Sequence, residues 1–596
     1  MSHEARSKAD DRLVRRVFAP YAVGYWQGAT ARQAWTLTLV LGTAVLLGIA
    51  TGVVFSLWNR WFFDALEQKD GAELGWSLLA LLGIVVFGTA FEVALVLSRE
   101  TVQVRWRAWF SNKLIERWLG RQRFHHMNGA GDDKATVPEY RIADDIRWAT
   151  EPIMDFYIGL VAAVVSVASF VGILWVVGGA MTLAIGGTTI TIPGYMAVAG
   201  VIHAAILMVS MLYVGRALPR NIAARNEAEA NFRLSLMRVR ENADSVALAH
   251  GEAGERAILR RALDTLARRW LVVVGQNGRL TWILRSNNIL LPVMPLLFAA
   301  PKYLTDELSL GAVMQLVSAY LPFQTSVAWA VHNYQPLSNW HAAARRVAGL
   351  IQSMDELDDD LDRSDRSAIT TGASDDGCIH VVDLTVTDRH GGILVRNVDL
   401  VVRPGEKLLL TGDSGTGKSA LVRTIAGLAP WGSGTIRRPA GARLSVVPQR
   451  AHLPLGSLRD ALSYPFERLQ ADDGAIVEVL VRYGIGRLAP RLDTVERWDQ
   501  LLSNSERQRL AFARLFLQRP TIVVLDDALA AFGDGDRIDL MSLLRRDLPD
   551  STVLSVAAHG GLERFHDRTL RLVKEAIGAR LDVVETARLV ALRPSE

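Results

Sequence analysis

The patterning of hydrophobic and polar positions changes regime near residue 335. Before that point, nearly uncharged apolar stretches occupy residues 35–57, 76–98 (interrupted only by Glu92), 156–179 and 194–215. Each is long enough to cross a hydrocarbon core about 30 Å thick. Two further stretches follow, 278–300 with Arg279, Arg285, Pro292 and Pro295, and 309–332 with Gln315 and Gln324 but no charge. The pattern predicts six membrane-spanning helices, because a soluble core helix shows an apolar stripe and these are apolar all round. After 335 the apolar runs shorten to strand length and alternate with mixed sequence.

Charge placement orients the predicted spans, since short cytosolic loops are enriched in Lys and Arg. Arg6, Lys8, Arg12, Arg15 and Arg16 precede the first span; 99–151 and 216–270 are Arg-rich; the alternate loops hold Asp64, Glu67, Asp70 and Glu73, then no charge in 180–193, then Lys302, Asp306 and Glu307. The basic segments fall on one side, which places both termini in the cytoplasm. Met1 to Pro20 carries charges of both signs and no small-residue cleavage site, so no removable signal peptide is predicted. The expected organisation is a cytosolic segment 1–34, a transmembrane domain 35–350 whose basic loops continue the spans as helices, a linker 351–378 with a solvated acidic run from Asp355 to Asp365, and a second domain 379–596. Within the spans, Glu92, Arg285 and Gln315 are the transport-cavity candidates, with His203, Arg279 and Gln324 beside them, because an intramembrane polar group normally faces protein or water. For His203 a packed histidine is the favoured reading.

Composition adds exclusions. Half of the 596 residues are hydrophobic and 21% are charged. The mean hydropathy of +0.18 averages two unlike halves. A formal net charge of +4 is too small to argue for a nucleic-acid partner. The single cysteine, Cys378, excludes an internal disulfide and a Cys-based zinc or iron–sulfur site within one chain.

Residues 408–428 read LLLTGDSGTGKSALVRTIAGL, a strand, a glycine-rich turn and a helix. The loop Gly412, Asp413, Ser414, Gly415, Thr416, Gly417 precedes Lys418 and Ser419 with P-loop spacing. Backbone N–H groups and a helix N-terminus there wrap phosphates, the lysine reaches the β- and γ-phosphates, and the serine ligates Mg²⁺. A second apolar strand, 521–525, ends in Asp526 and Asp527. Asp526 fits the carboxylate that holds Mg²⁺. Asp527 stands where a longer carboxylate usually polarises the attacking water, and a shortfall of about 1 Å can cost on the order of 10²-fold in rate.

The order of motifs over 379–570 resembles the ATPase domain of ABC transporters. The resemblance implies a fold class of an all-α six-span transmembrane domain followed by an α/β P-loop ABC ATPase domain, with ATP and Mg²⁺ as cofactors. Gln449, in VVPQR, resembles the Q-loop glutamine that senses Mg²⁺, and His559, in VAAHGG, resembles the switch histidine that contacts the γ-phosphate. LLSNSERQRLAFARLF resembles the signature segment, which becomes Leu502, Ser503, Asn504, Ser505, Glu506 and binds the nucleotide of the opposite subunit. Three positions depart from the family pattern: Asn504 and Ser505 replace the signature glycines, and Gly533 stands at the D-loop aspartate position. No adenine-stacking aromatic occurs near Thr387. Because both halves of each composite site are altered, a heterodimer has no intact site, and a homodimer is the simpler expectation.

The membrane half narrows the resemblance. WNRWFFDALEQKD (58–70), PEYRIADDIR (138–147), FRLSLMRVRENADSVALAHGEAGE (232–255) and PQRAHLPLGSLRDALSYP (448–465) together resemble the SbmA/BacA-like transporters and the related peroxisomal D subfamily. That likeness implies a bacterial inner-membrane half-transporter that imports hydrophilic solutes such as antimicrobial peptides, bleomycin-like compounds or cobalamin. An exporter of lipid or acyl substrates, and a solute carrier or channel with a weak regulatory ATPase, are the alternatives.

Overall fold

The computed structural model describes residues 11–128, 138–185, 188–364, 369–388, 391–429, 431–466, 471–557 and 561–584. They form two compact units that divide between Met354 and Asp355.

The first unit is helical. After a π turn, Val14–Phe18, and a short helix α1, Ala19–Val23, come α2 (Ala31–Glu67), α3 (Gly71–Leu119) and α4 (Ile146–Gly178). A hairpin of β1 (Ala180–Ile185) and β2 (Thr188–Pro193) leads to α5 (Tyr195–Gly215), α6 (Leu218–Glu241), α7 (Glu252–Leu290), α8 (Val293–Leu304) and α9 (Leu310–His332). The hairpin is a departure from the all-α expectation: the uncharged loop 180–193 is rich in Thr and Ile, which favour strands. At about 1.5 Å per residue, the 49-residue α3 extends for roughly 74 Å. It runs through Arg105, Arg107 and Lys113 without a break, as the helical reading of the basic loops requires. Phe170, Leu174, Met196, Leu316, Tyr320 and Phe323 form the core of the unit. Leu39, Leu82, Phe87 and Val209 are exposed on the same helices. That inversion suits a bilayer as solvent.

Five helical stretches among the described residues are long and apolar enough to cross a membrane: 28–67, 71–127, 138–178, 195–241 and 252–304. The sixth expected span, α9, is a helix of 23 residues that does not join them. Its glutamines and serines lower its hydropathy, although Leu316, Ala319 and Tyr320 are fully buried against the other helices. The stretch 278–300 is divided at Leu291 and Pro292 into α7 and α8. Residues 1–34 do more than lead in, since Val14, Phe18, Ala22 and Tyr25 are buried.

Two charged clusters tie this unit together. Asp145, 1% exposed, receives Arg346 Nε at 3.0 Å to both carboxylate oxygens and Arg141 Nη1 at 2.7 Å. The buried Asp145 carboxylate thus has two guanidinium partners in place of lost solvation, while Arg346 keeps about a third of its side chain in solvent. At the end of α2, Asp64 Oδ1 accepts from Gly311 N at 3.0 Å and Glu67 Oε2 accepts from Leu310 N at 2.9 Å.

Residues 351–378 are more structured than a linker. Helix α10, Tyr334–Ser364, carries the acidic run from Asp355 to Asp362 as helix, and β3, Thr370–Ser374, already belongs to the sheet of the second unit. That sheet continues with β4 (Ile379–Thr387), β5 (Ile393–Val402), β6 (Lys407–Gly412), β7 (Gly432–Pro439), β8 (Leu444–Val447), β9 (Ile522–Asp526), β10 (Thr552–Val556), β11 (Arg568–Lys574) and β12 (Ala579–Val584). The spatial order is β3-β7-β4-β5-β12-β11-β6-β10-β9-β8. Strands β11, β6, β10, β9 and β8 are parallel, and β9 and β10 are buried along their whole length, as strands covered on both faces are. Helix α11 (Lys418–Ile425) follows β6, α12 (Asn504–Gln518) precedes β9, and α13 (Asp534–Asp547) follows it.

Candidate functional site

The phosphate loop lies at the carboxyl end of β6, beside the carboxyl end of β9 on the far side of β10. Crevices at the carboxyl ends of parallel strands are where ligands bind in such sheets. Gly412 has φ 145° and a Cβ there would meet Leu572 O at 2.6 Å; Gly417 has φ 87° and its Cβ would meet Val395 Cγ2 at 2.7 Å. The two glycines let the loop fold back over the start of α11. Thr416 Oγ1 braces it by donating to Asp413 O at 2.8 Å. Lys418, 9% exposed, extends its ammonium along the inside of the loop, donating to Gly412 O at 2.7 Å and Asp413 O at 2.8 Å. Ser414 and Gly415 complete the turn.

Ser419 Oγ donates to Asp526 Oδ1 at 2.7 Å, which brings together two hard oxygens of the kind Mg²⁺ prefers. Asp526 is 6% exposed and Arg423 Nη2 approaches its other oxygen at 3.4 Å. The donor set therefore fits a Mg²⁺·nucleotide held between α11 and β9.

Asp527 and Gln449 line one cleft of about 690 Å³ with Ser555, Arg537 and Glu563. Gln449 is exposed there, and its backbone carbonyl accepts from Gln508 Nε2 at 2.6 Å. Gln508, 1% exposed on α12, also donates to Pro448 O at 2.8 Å. It pins the Q-loop to the signature helix, a positioning role that sequence reasoning missed although a glutamine on the apolar face of RQRLAFARLF is a visible anomaly. His559 lies outside the described residues.

Ser503 caps α12 and Glu506 closes the box: Ser503 Oγ accepts from Glu506 N at 3.2 Å, and Ser503 N donates to Glu506 Oε2 at 3.0 Å. The Arg487 guanidinium beside Glu506, with Nε at 3.1 Å, holds its carboxyl below the usual glutamate range, and the Ser503 backbone N–H adds to this. Asn504 and Ser505 are the first two residues of α12, so neither position needs the left-handed backbone that a glycine allows. Ser505 Oγ donates to Ala531 O at 3.3 Å. None of Ser503, Asn504, Ser505 and Glu506, and no residue of the phosphate loop, lines the cleft of Gln449 and Asp527. Gly533 caps α13 without a side chain.

The transport candidates are not brought together. Glu92 and Arg285 are exposed. Gln315 is 2% exposed within helix packing, where its Oε1 has no hydrogen-bond partner among the described residues. Gln324 Nε2 donates to Gly200 O at 2.8 Å and His203 Nδ1 lies 2.9 Å from Tyr320 Oη, contacts of packed side chains. A single cysteine excludes only all-thiolate sites: Asp376, Cys378 and His380 place ligand atoms within 4.8 Å of one another, and His380 Nε2 is already bonded to Asp376 Oδ2 at 2.8 Å.

Comparison with known proteins matches residues 28–304 to the ABC transporter transmembrane region 2 and 395–530 to the ABC transporter ATPase family. An uncharacterized ABC transporter ATP-binding protein of Synechocystis is 32% identical, over 93% of this chain and 83% of its own length. The inner membrane ABC transporter ATP-binding protein YddA of Escherichia coli is 28% identical over 89% and 93%. The chloroplastic ABC transporter D family member 2 of Arabidopsis thaliana is 27% identical over 93% and 85%. A solved structure, a bacterial Atm1-family ABC exporter with ATP bound, superposes with a TM-score of 0.61 at 18% identity, over 91% of this chain and 94% of its own, which shows the fold.

Proposed function

Because the chain belongs to the ABC transporters, as a half-transporter with its membrane domain fused to its ATPase domain and related to the D subfamily, we propose that it acts as a homodimer in a bacterial inner membrane and imports hydrophilic solutes of the peptide or bleomycin class. The ATPase domain hydrolyses ATP with Mg²⁺ and couples it to transport. Half-transporters of this kind work as dimers in the membrane. What supports a homodimer here is that both halves of each composite site are altered, Asn504 and Ser505 in the signature and Asp527 after β9, so that a heterodimer would have no intact site.

The observation that carries the reading is the Ser419–Asp526 pair beside Lys418. Lys418 would exchange its loop carbonyls for the β- and γ-phosphate oxygens, and Ser419 and Asp526 would hold Mg²⁺, which when bound would supply positive charge against that developing on the transferring phosphoryl group. Asp527 orients the attacking water and accepts its proton at a carboxylate oxygen, with Gln449 across the same cleft. The short Asp527 side chain makes this step slow. A sixth span, α9, is supported by its buried face of Leu316, Ala319 and Tyr320, and cytoplasmic termini by the basic segments. The hydrophilic solute class and inward direction rest on the likeness of 58–70, 138–147, 232–255 and 448–465 to the SbmA/BacA-like group.

The test is survival of a transporter-null bacterium on bleomycin with wild-type, Lys418→Ala and Asp527→Glu chains at equal expression. Wild type sensitises and Lys418→Ala does not, while purified Asp527→Glu turns over ATP faster, by up to about 10²-fold. Equal survival with wild type and Lys418→Ala rejects ATP-driven import.

A further inference from the structure

A cleft of about 420 Å³ opens in the membrane unit, between the N-terminal turns and the helices they pack on. Val14 and Phe18 of the N-terminal turns, Gly42, Tyr157, Trp106 and Trp340 are among the residues that line it. The volume is that of a ligand pocket, but the cleft offers a ligand almost nothing polar. Thr38, which also lines it, donates to Ala34 O at 2.8 Å and accepts from Trp26 Nε1 at 3.0 Å. The indole N–H of Trp106 goes to Ala22 O at 3.0 Å and that of Trp340 to Ala149 O at 2.9 Å. A water needs two to four polar partners, and beyond the hydroxyl of the exposed Tyr157 the lining side chains offer none that is not already bonded, so the cleft suits hydrocarbon better than ordered water or a hydrophilic solute.

The surroundings specify the hydrocarbon. The lining residues of α2 and α4 belong to the ends of the stretches 35–57 and 156–179 that adjoin the basic segments, the depth at which acyl chains meet headgroups. Beside Val14, the side chains of Arg12, Arg15 and Arg16 are exposed. Asp11, the acid next to them among the described residues, is paired with His341 at 2.9 Å. The π turn and α1 thus make an amphipathic element, with Val14, Phe18 and Ala22 inward and arginines outward, of the kind that lies in the membrane interface and attracts anionic lipid.

We infer that this cleft holds an acyl chain of an anionic phospholipid from the leaflet on the ATPase side, with the phosphate at Arg12, Arg15 and Arg16. The leaflet rests on the orientation proposed above; the binding chemistry does not depend on it, nor on transport direction. The lipid would fasten the N-terminal element to α2 and α4 by filling the space between them.

Gly42 supplies a clean test, because a Cβ built there meets nothing within 4 Å. A phenylalanine at this helical position projects into the cleft without a backbone clash. Full-length protein, delipidated in an uncharged detergent, is titrated with phosphatidylglycerol or phosphatidylcholine of identical chains, and bound lipid is counted by native mass spectrometry. Phosphatidylglycerol is expected to bind about tenfold more tightly, since each basic residue near a membrane surface strengthens the attraction to anionic lipid. The triple variant Arg12→Gln, Arg15→Gln, Arg16→Gln erases that preference. Gly42→Phe weakens both lipids by about tenfold while ATP binding and the melting temperature of the lipid-free protein are retained. Equal affinity for the two lipids overturns the headgroup assignment, and lipid retention unchanged by Gly42→Phe overturns the cleft. If Gly42→Phe shifts the dimer equilibrium and leaves lipid binding intact, the partner subunit occupies the cleft and the proposal fails. Failure of the bleomycin experiment touches none of these readouts.

Discussion

Asp527 enters the left-handed region at φ 55°, where aspartate is among the few side chains tolerated. The same residue is one methylene shorter than its catalytic role usually demands. Asp527→Glu therefore separates two properties: it raises turnover and lowers folding stability by roughly 1 kcal/mol, read by thermal melting against ATPase rate. His566 illustrates a residue whose importance was not legible. It is 6% exposed, with Nε2 2.8 Å from Ser555 Oγ and Nδ1 2.7 Å from Leu562 O, and burial pushes its imidazole below the ordinary value of 6.5. The unfolded chain takes up a proton at 6.5 and the folded one resists it, so stability is full above 6.5 and declines as pH falls below it. The slope is at most about 1.4 kcal/mol per pH unit for one proton. Melting of the intact protein from pH 8 to 5.5 should show this decline, and His566→Gln should flatten it; an unchanged slope would assign the pH dependence to other groups. Histidine in RFHDR gives no sequence sign of burial, because burial comes from β10 and the turn around Leu562.

At the scale of elements, the stretch WNRWFFDALEQKD acquires a physical purpose. Its Asp64 and Glu67 close the orphan N–H groups at the start of α9, supplying from another helix the caps and negative charge that a helix N-terminus needs. Gly311 makes that approach possible, since a Cβ there would lie 2.2 Å from Arg60 O. Gly311→Ala is expected to lose about 1 to 3 kcal/mol of stability, and Asp64→Ala about 1 kcal/mol, both measured as lowered melting temperature. A Gly311→Ala protein that melts with wild type would reject the close approach. The capping box of α12 was readable in advance as serine followed by glutamate three residues on, because it is a local device. Helix α9 has a local cap of its own, Ser309 Oγ accepting from Ala312 N at 3.2 Å, but the second set from Asp64 and Glu67 was not legible, because its two sides are about 245 positions apart in the chain. The π turn, α1 and the β1–β2 hairpin were missed for a related reason: short elements carry too few residues for their periodicity to stand out.

For the whole molecule, the proposed homodimer, with two ATP sites shared between its subunits, predicts that mixed dimers of wild-type and Lys418→Ala chains, isolated by two affinity tags, hydrolyse ATP at no more than half the wild-type rate. A rate equal to wild type would mean that a single intact phosphate loop suffices. The amino-acid sequence by itself determined the division into membrane and nucleotide halves, the family and the phosphate loop, because apolar length, loop charge and P-loop spacing are properties of neighbouring residues. It also placed Lys418, Ser419 and Asp526, each tied to a strand end that apolar patterning locates. Only the tertiary structure decided that Ser419 meets Asp526, that Gln508 pins Gln449, that Asp145 is buried between Arg141 and Arg346, and that an apolar cleft opens beside three arginines. Those contacts join residues far apart in the chain, and packing alone sets which of the many polar side chains find one another and which apolar faces are left uncovered.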